Sequence, residues 1–528
     1  MESECAPPGG HFQFTYSIDV DPPKKTARNP TDIVAIARSA FRSGKTKSVE
    51  FRRKQLQQLE KLVQENVPAF EDALKQDLGR PKQETLMFDT DYALFDIQKI
   101  LHNLSAWCTP EKPSKPWVNA LDSIQVNSDP YGVVLVIGAW NFPVNLLLVP
   151  TAGAIAAGNC VVMKPSEVAS ATSKLLEELV LKYLDKQCFH VYNGGVPETT
   201  ELLQERFDYI FFTGSTQVGK IVHAAANKYL TPVTLELGGK SPVFLDDGVN
   251  MEIATRRILW GKCSNAGQVC IAPDYMLCTR ETQAKFIAVA QMVLKEWYGS
   301  NVKDSPFYCR LISDKHYDRL TTFLKDKRNI AIGGQTDASQ RFIEPTVLVN
   351  VSPNDPVMQE EIFGPILPII VINNPQEAIS FINAREKPLS LYVFTNDADT
   401  KELFLNNTLS GGVTINDTIM HFSVETLPFG GVGYSGMGGY HGKYSFDTFS
   451  HKKAILRRNL HKPLEKAISV RYPPYSETKE KLVHLLLKPV FGGFNCRYLL
   501  YLFMFILGVV CIILVQVIYF QVTNEHLI

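Results

Sequence analysis

Apolar residues in this chain recur first at helical spacing, then in short unbroken runs, and near the end in one long continuous block. Helical spacing covers residues 32–41, 50–67 and 85–107; within the second, Leu56, Leu59, Leu62 and Val63 share a face. Prolines and a short polar stretch break the pattern over 110–130, which reads as a loop or projecting hairpin. From residue 133 the pattern alternates. Apolar runs at 133–137, 161–163, 190–193, 209–212 and 233–235 read as strands, and 144–157, 172–184, 198–203 and 218–226 as helices. Short apolar strands separated by helices predict a parallel sheet with helices on both faces, an α/β architecture. Residues 241–434 repeat the alternation.

Ligands of such sheets bind outside the carboxyl ends of the strands. Four of these ends carry unusual residues: Gly138-Ala139-Trp140-Asn141, Lys164-Pro165-Ser166-Glu167, Thr213-Gly214-Ser215-Thr216, and Glu236-Leu237-Gly238-Gly239-Lys240. Together they predict a nucleotide-and-substrate rim. The run from Gly214 to Gly219-Lys220 nearly spells a P-loop, but Ile221 stands where a magnesium-binding Ser or Thr is required. Alone, it shows a helix N-terminus that can face a phosphate, as many βα turns do. Glu360-Glu361-Ile362-Phe363-Gly364-Pro365 reads equally as a capped turn, and the glycine run 428–436 equally as a flexible loop.

The stretch Trp260–Cys270 ends in a thiol behind Asn265, Gly267 and Gln268, rather than among aliphatics. Amide groups in such a place need hydrogen-bond partners, and glycine allows close approach of backbone and substrate. Cys270 is therefore a candidate nucleophile, with a buried structural thiol as the alternative. Cys263, seven residues earlier, lacks the Gly-Gln lead-in and reads as structural.

Composition narrows the choices. Acidic and basic residues balance at 54 each, so no global field favours nucleic acid. The ten cysteines include no Cys-x-x-Cys pair, so no metal site is expected, and their scatter fits a reducing compartment. The first residues hold no apolar segment of the secretory type, and 1–30 reads as a loose extension rich in Pro, Gly and short polar residues.

Taken in order, the motifs quoted above, with Gly267-Gln268-Val269-Cys270 and Pro428-Phe429-Gly430-Gly431, resemble the aldehyde dehydrogenase superfamily. The resemblance runs from about residue 31 onward and is strongest to the class-3 branch, which includes membrane-anchored fatty aldehyde dehydrogenases. It implies an aldehyde dehydrogenase-like fold: a Rossmann-type cofactor domain at 31–237 with an arm hairpin at 110–130, and an α/β catalytic domain at 238–438. An oligomerisation arm at 439–462, a gatekeeper helix and linker at 463–496, and an anchor at 497–520 would complete it. It implies Cys270 as nucleophile, Glu236 as general base, and the Asn141 amide with the Cys270 N–H as oxyanion donors. NAD, with NADP possible, would be held by Lys164 and Glu167 at the adenine ribose and by Gly214, Ser215 and Gly219 at the pyrophosphate turn. Glu361 would take the nicotinamide ribose and Phe363 the nicotinamide. A homodimer is the usual assembly of the branch.

The final apolar block, residues 498–520, is interrupted mainly by Gln516. As a helix it measures about 34 Å at 1.5 Å per residue, against a bilayer core of about 30 Å. It predicts a single-pass tail anchor, with Lys479, Lys481, Lys488 and Arg497 upstream keeping the large domain cytosolic. Endoplasmic reticulum is the expected membrane, and a long-chain aldehyde the expected substrate. Residues 477–487 form an amphipathic pattern that serves as a substrate gate, a membrane-surface helix or a dimer contact. Readings of other classes are a membrane-tethered nucleotide-binding protein, a catalytically dead scaffold, and an acylating coenzyme-A-dependent enzyme. Within the class, a broad-specificity enzyme for medium-chain or aromatic aldehydes is the alternative.

Overall fold

The unbroken apolar runs become the central strands of two sheets. The computed structural model describes residues 29–528 apart from 117–118, 121, 463–464, 466–467, 488–495 and 526–528. Nearly all of the 1–30 extension, and part of the 463–496 linker, thus lie outside the described residues. The chain divides into two units, Met1–Leu104 with Pro130–Phe449, and Ser105–Asp129 with Ser450–Ile528.

Strands in chain order are β1 (Ser123–Pro130), β2 (Val133–Ile137), β3 (Cys160–Lys164), β4 (Phe189–Val191), β5 (Tyr209–Thr213), β6 (Val233–Glu236), β7 (Pro242–Leu245), β8 (Tyr275–Cys278) and β9 (Ile330–Ile332). They continue as β10 (Thr336–Asp337), β11 (Phe342–Ile343), β12 (Thr346–Leu348), β13 (Ile366–Val371), β14 (Ser390–Phe394), β15 (Gly412–Ile415), β16 (Gly436–Met437) and β17 (Ser450–Arg457). In the larger unit one sheet has the order β16-β6-β5-β2-β3-β4 and the other β15-β14-β7-β8-β13-β12-β9. The first is parallel except where β16 runs antiparallel to β6, pairing Gly436 with Glu236. In the second, only β9 runs antiparallel to its neighbour, β12. All residues of β2, β3 and β5 are buried, as expected of strands covered on both faces.

Helix Asn145–Ala157 shows why the order holds. Every one of its 13 residues is buried, because apolar or small side chains occupy all its sides. Helix Val49–Gln64 instead buries one stripe. Leu56, Leu59, Leu62 and Val63 are all fully buried, each worth about 1.5–3 kcal/mol relative to exposure. It ends at Gln64, and Pro68 sits in the first turn of a separate helix, Val67–Leu78. The apolar spacing at 85–107 is met by a π-type turn at Leu86–Thr90 followed by helix Asp91–Trp107.

The glycine run near residue 430 is packed, not slack. A Cβ on Gly431 would lie 2.0 Å from the Ser435 carbonyl oxygen, and one on Gly436 only 2.3 Å from that of Leu235. Gly436 also holds φ at +147°, a conformation side chains rarely adopt. The loop thereby reaches β6, where the Leu237 N–H donates to the Ser435 carbonyl (3.2 Å).

In the smaller unit β1 pairs with β17. Asp122 is buried there and accepts from Asn119 (2.6 Å) and Arg458 (2.9 Å), which hold its carboxyl below the usual range. Helix Glu477–Leu487 leaves Leu482, Leu485 and Leu487 exposed. A last helix spans Cys496–Glu525. Its described side chains are 501 and 503–517. Among the described residues no helix is long and apolar enough to cross a membrane.

Gly436→Ala tests the glycine packing. It is expected to cost about 1–3 kcal/mol in urea unfolding from backbone strain alone. An unchanged midpoint would show that the loop tolerates a side chain at this place.

Candidate active site

The carboxyl ends of β2, β3, β5 and β6 fall at Ile137, Lys164, Thr213 and Glu236, all on the same edge because these strands are parallel. That alignment delivers the four unusual stretches to one rim. Cross-links fix it: the Gly138 N–H donates to the Lys164 carbonyl and the Gly214 N–H to the Glu236 carbonyl, both at 3.0 Å.

The stretch that carries Cys270 begins on a helix outside this sheet. Helix Met251–Cys263 ends in a tight turn, Ser264–Gly267, in which Asn265, Ala266 and Gly267 hold φ of +49°, +51° and +74°. Three left-handed residues in succession are costly, so surrounding bonds must hold them. Gln268 supplies several. Its Nε2 donates to the Asn265 and Arg310 carbonyls (2.9 and 3.1 Å), and its Oε1 accepts from the Ile312 N–H (3.0 Å). Gly267 is obligatory, since a Cβ there would lie 2.2 Å from the Gly364 carbonyl oxygen. This contact joins the Gly-Gln-Val-Cys stretch to the Phe-Gly-Pro stretch.

Cys270 follows the turn and keeps partial exposure. Burial still pushes its thiol up to about 12, with the Glu361 and Glu236 carboxyls adding to the rise. The N–H groups of Cys270 and Ile271 point at the sulfur and pull the other way. Glu236 is 2% exposed, and neither carboxyl oxygen has a hydrogen-bond partner among the described residues. Burial drives its pKa well above the ordinary carboxylate value. A carboxyl of this kind takes up a proton readily. Asn141 is 3% exposed, and its Nδ2 donates to the Gln268 carbonyl (3.2 Å), two residues before the thiol. The thiol, a carboxyl and a side-chain amide thus converge.

Glu361 lies against glycine as well. A Cβ on Gly238 would come within 2.3 Å of its Oε2, and the Gly239 N–H donates to the carboxyl. Burial first, then Asp274, raises Glu361 to about 8. The segment around it is clamped. Lys240 pairs with Asp274 and donates to the Val357 and Glu360 carbonyls (3.0 and 2.8 Å), while Arg319 donates to the Glu361 and Ile362 carbonyls (3.2 and 2.6 Å). Phe363 has φ of +50°, and its ring meets the edge of Trp140 with centroids 5.3 Å apart. At the far rim Lys164, 5% exposed, pairs with Glu167. Gly214 leads into helix Thr216–Asn227, which Ser215 caps by accepting from the Val218 N–H (3.4 Å). Gly219 lets that helix approach Leu237, whose Cδ2 a Cβ would meet at 2.7 Å.

Two groups escaped the sequence reading. One is polar: Arg80 and Asp89, buried behind Asn141 together with Asn265, whose side chain Arg80 bonds. The other is aromatic. Phe88 meets Phe142, Trp260 and Phe422 at centroid distances of 5.5, 6.1 and 5.8 Å, and Tyr92 meets Phe422 at 5.0 Å. The rings beside Asn141 and on helix Met251–Cys263 thus belong to one cluster. Its members come from segments so far apart in sequence that only a three-dimensional contact reveals them.

The geometry agrees with what the chain is similar to. The aldehyde dehydrogenase family model matches residues 15–455. The rat "Aldehyde dehydrogenase, dimeric NADP-preferring" is 49% identical over 444 residues, covering 84% of this chain and 97% of its own. "Aldehyde dehydrogenase family 3 member A2" of Pongo abelii is 47% identical over 483 residues, covering 92% and 98% respectively. A substrate-bound structure of AldH from Staphylococcus aureus superposes with a TM-score of 0.84 at 41% identity, covering 87% of this chain and 99% of its own. The chain belongs to the aldehyde dehydrogenase family.

Proposed function

We propose that this chain oxidises long-chain aliphatic aldehydes to fatty acids with NAD, as a dimer held at a membrane by its C-terminal helix. The chain is an NAD(P)-dependent aldehyde dehydrogenase; the substrate, the preferred dinucleotide, the dimer and the membrane are the proposal. The carrying observation for the chemistry is the buried Glu236 carboxyl, without a hydrogen-bond partner among the described residues, within the field of the partly exposed Cys270 thiol.

The residues at the rim fit a dinucleotide. Lys164 and Glu167 pair at a strand end, with a third of the Glu167 side chain exposed, and the helix behind Ser215 presents exposed Val218 and Ile221. Lys164, Glu167, Gly214, Ser215, Gly219, Glu361 and Phe363 would hold it. When bound, its nicotinamide supplies the hydride acceptor. Glu167 favours a ribose hydroxyl over a 2′-phosphate, while Lys164 tolerates the phosphate. That is the basis for proposing NAD over NADP.

The chain's own residues do the rest. Glu236 accepts the thiol proton, and the Cys270 sulfur bonds to the aldehyde carbon. The oxyanion that forms is met by the Asn141 amide and the Cys270 N–H, each such donor being worth about 3 kcal/mol in rate. Loss of hydride leaves a thioester on Cys270. Glu236 passes the thiol proton to solvent, takes a proton from the attacking water, and returns it to the Cys270 sulfur as the carboxylic acid leaves.

Apolar surroundings support the fatty substrate. The ring cluster of Phe88, Phe142, Trp260 and Phe422 flanks the donor and nucleophile segments. The relative from Pongo abelii, whose name places it in member A2, matches over 92% of this chain. Such a substrate partitions into lipid by about 0.8 kcal/mol per methylene, and the apolar block 498–520 would fix the enzyme there, with endoplasmic reticulum proposed as the site. The dimer is proposed from the printed name of the rat relative. The same rings also favour aromatic aldehydes, so benzaldehyde belongs in the assay.

Three outcomes are expected. NADH formation across an aldehyde series should give hexadecanal a higher kcat/KM than acetaldehyde or benzaldehyde; the reverse order ends the fatty-aldehyde reading. Full-length protein should stay with membranes through carbonate washing, and its release would dispose of the anchor. The third concerns pH. Glu361, raised to about 8, carries little charge below that pH and opposes the thiolate above it. Glu361→Gln should therefore move the rise of Cys270 alkylation by iodoacetamide, without cofactor, to lower pH. A profile identical to wild type would remove Glu361 from the field of the thiol.

A further inference from the structure

Among groups that the mechanism above does not use, a buried cation stands out by what it touches. Arg80 is 2% exposed and Asp89 and Asn265 are fully buried. The Arg80 guanidinium bonds in three directions. It pairs with Asp89, donates to the Asn141 carbonyl, and donates twice to Asn265 Oδ1, from one terminal nitrogen (2.7 Å) and from Nε (3.3 Å). Asn265 Nδ2 then donates to the same Asn141 carbonyl (3.0 Å) and to the Gln268 carbonyl (3.1 Å). The Gln268 carbonyl also receives the Asn141 side chain (3.2 Å). Asp89 completes the frame, its Oδ1 accepting from the N–H groups of Val144 (3.1 Å) and Asn145 (2.8 Å) just beyond Asn141.

We propose that Arg80 is a positioning residue for aldehyde oxidation, holding the Asn141 amide in register with the nucleophile turn at residues 265–268. This rests on the reading of Asn141 as an oxyanion donor. The case is geometric. A cation needed only to neutralise Asp89 has no reason to bond both the backbone of the donor residue and the side chain that braces the strained turn. The planar fork of arginine spans these three acceptors at fixed angles, whereas an ammonium is a point charge on a flexible stem. The Arg80 guanidinium also lies over the Phe142 ring, 5.0 Å from its centroid, which fixes its plane beside Asn141. Misplacing a reacting group by about 1 Å can cost about 10²-fold in rate, so the frame has leverage without touching substrate.

The test is a coupling measurement on the full-length enzyme, with hexadecanal as substrate and NAD as cofactor. Asn141→Ala is expected to lower kcat by about 10²–10³-fold. Arg80→Lys, which keeps the charge opposite Asp89, is expected to lower kcat by about 10–10²-fold while leaving KM for NAD within about twofold. In the Asn141→Ala background, adding Arg80→Lys should cost no more than about threefold, because the donor it positions is already gone. Asn265→Ala should show the same pattern, and it decides the matter if the Arg80 variant does not fold. Arg80→Lys with near wild-type kcat, or losses that multiply in the double variant, would overturn the proposal and leave the role of Asn141 standing. Full activity of Asn141→Ala would instead remove the donor reading, and this proposal with it.

Discussion

Everything at the rim depends on one strained turn being held shut. Asn265, Ala266 and Gly267 all lie in the left-handed region, and a backbone of that kind persists only where its surroundings over-determine it. Here they do so from three sides. Arg80 and Asn141 bond the Asn265 side chain and the turn, Gln268 bonds back to Asn265 and across to Arg310 and Ile312, and Gly364 closes directly on Gly267. The reward is the direction of Cys270. Its sulfur emerges where its own N–H and that of Ile271 reach it, without being sealed into the core.

The same close approach couples the two halves of the rim. A side chain on Gly267 would strike the Gly364 backbone, and one on Gly238 would strike the Glu361 carboxyl. The glycines are thus contact points between the sheet that ends at Glu236 and the clamped segment at 360–365. Lys240 and Arg319 hold that segment through its carbonyls, so its placement does not rely on the Glu361 side chain alone. The carboxyl itself accepts from the Gly239 N–H.

How much of this was legible in the chain follows from period and distance. The alternation of apolar runs located β2, β3, β5 and β6, and a parallel sheet then places Lys164, Thr213 and Glu236 on one edge by topology alone. Motifs supplied the remaining names. What the chain could not show is what depends on pairing across long separations. Asn265 and Arg80 are 185 residues apart, and no periodicity relates them. The run at 428–436 reads as flexible because glycine is ambiguous in sequence. Only the approach of Gly436 to the Leu235 carbonyl oxygen decides in favour of packing. Helix breaks are similar: continuous apolar spacing through 85–107 conceals the π-type turn at Leu86–Thr90, which places Asp89 beneath Arg80.

The electrostatics follow from the same burial. A thiol pushed up to about 12 is a poor nucleophile at rest, and two carboxyls beside it make matters worse only when they are charged. Both are raised by desolvation, Glu361 to about 8 and Glu236 well above its ordinary value. Burial thus disfavours charge at all three groups, which suppresses indiscriminate thiol chemistry. In the proposed mechanism, transfer of a proton from Cys270 to ionised Glu236 costs less than the thiol's position implies, because the acceptor is raised as well. What matters there is the gap between the two groups, while the proposed oxyanion donors act on the charge that grows on the aldehyde oxygen. Burial thus sets the resting state, and the frame around Asn141 sets how far that state must climb.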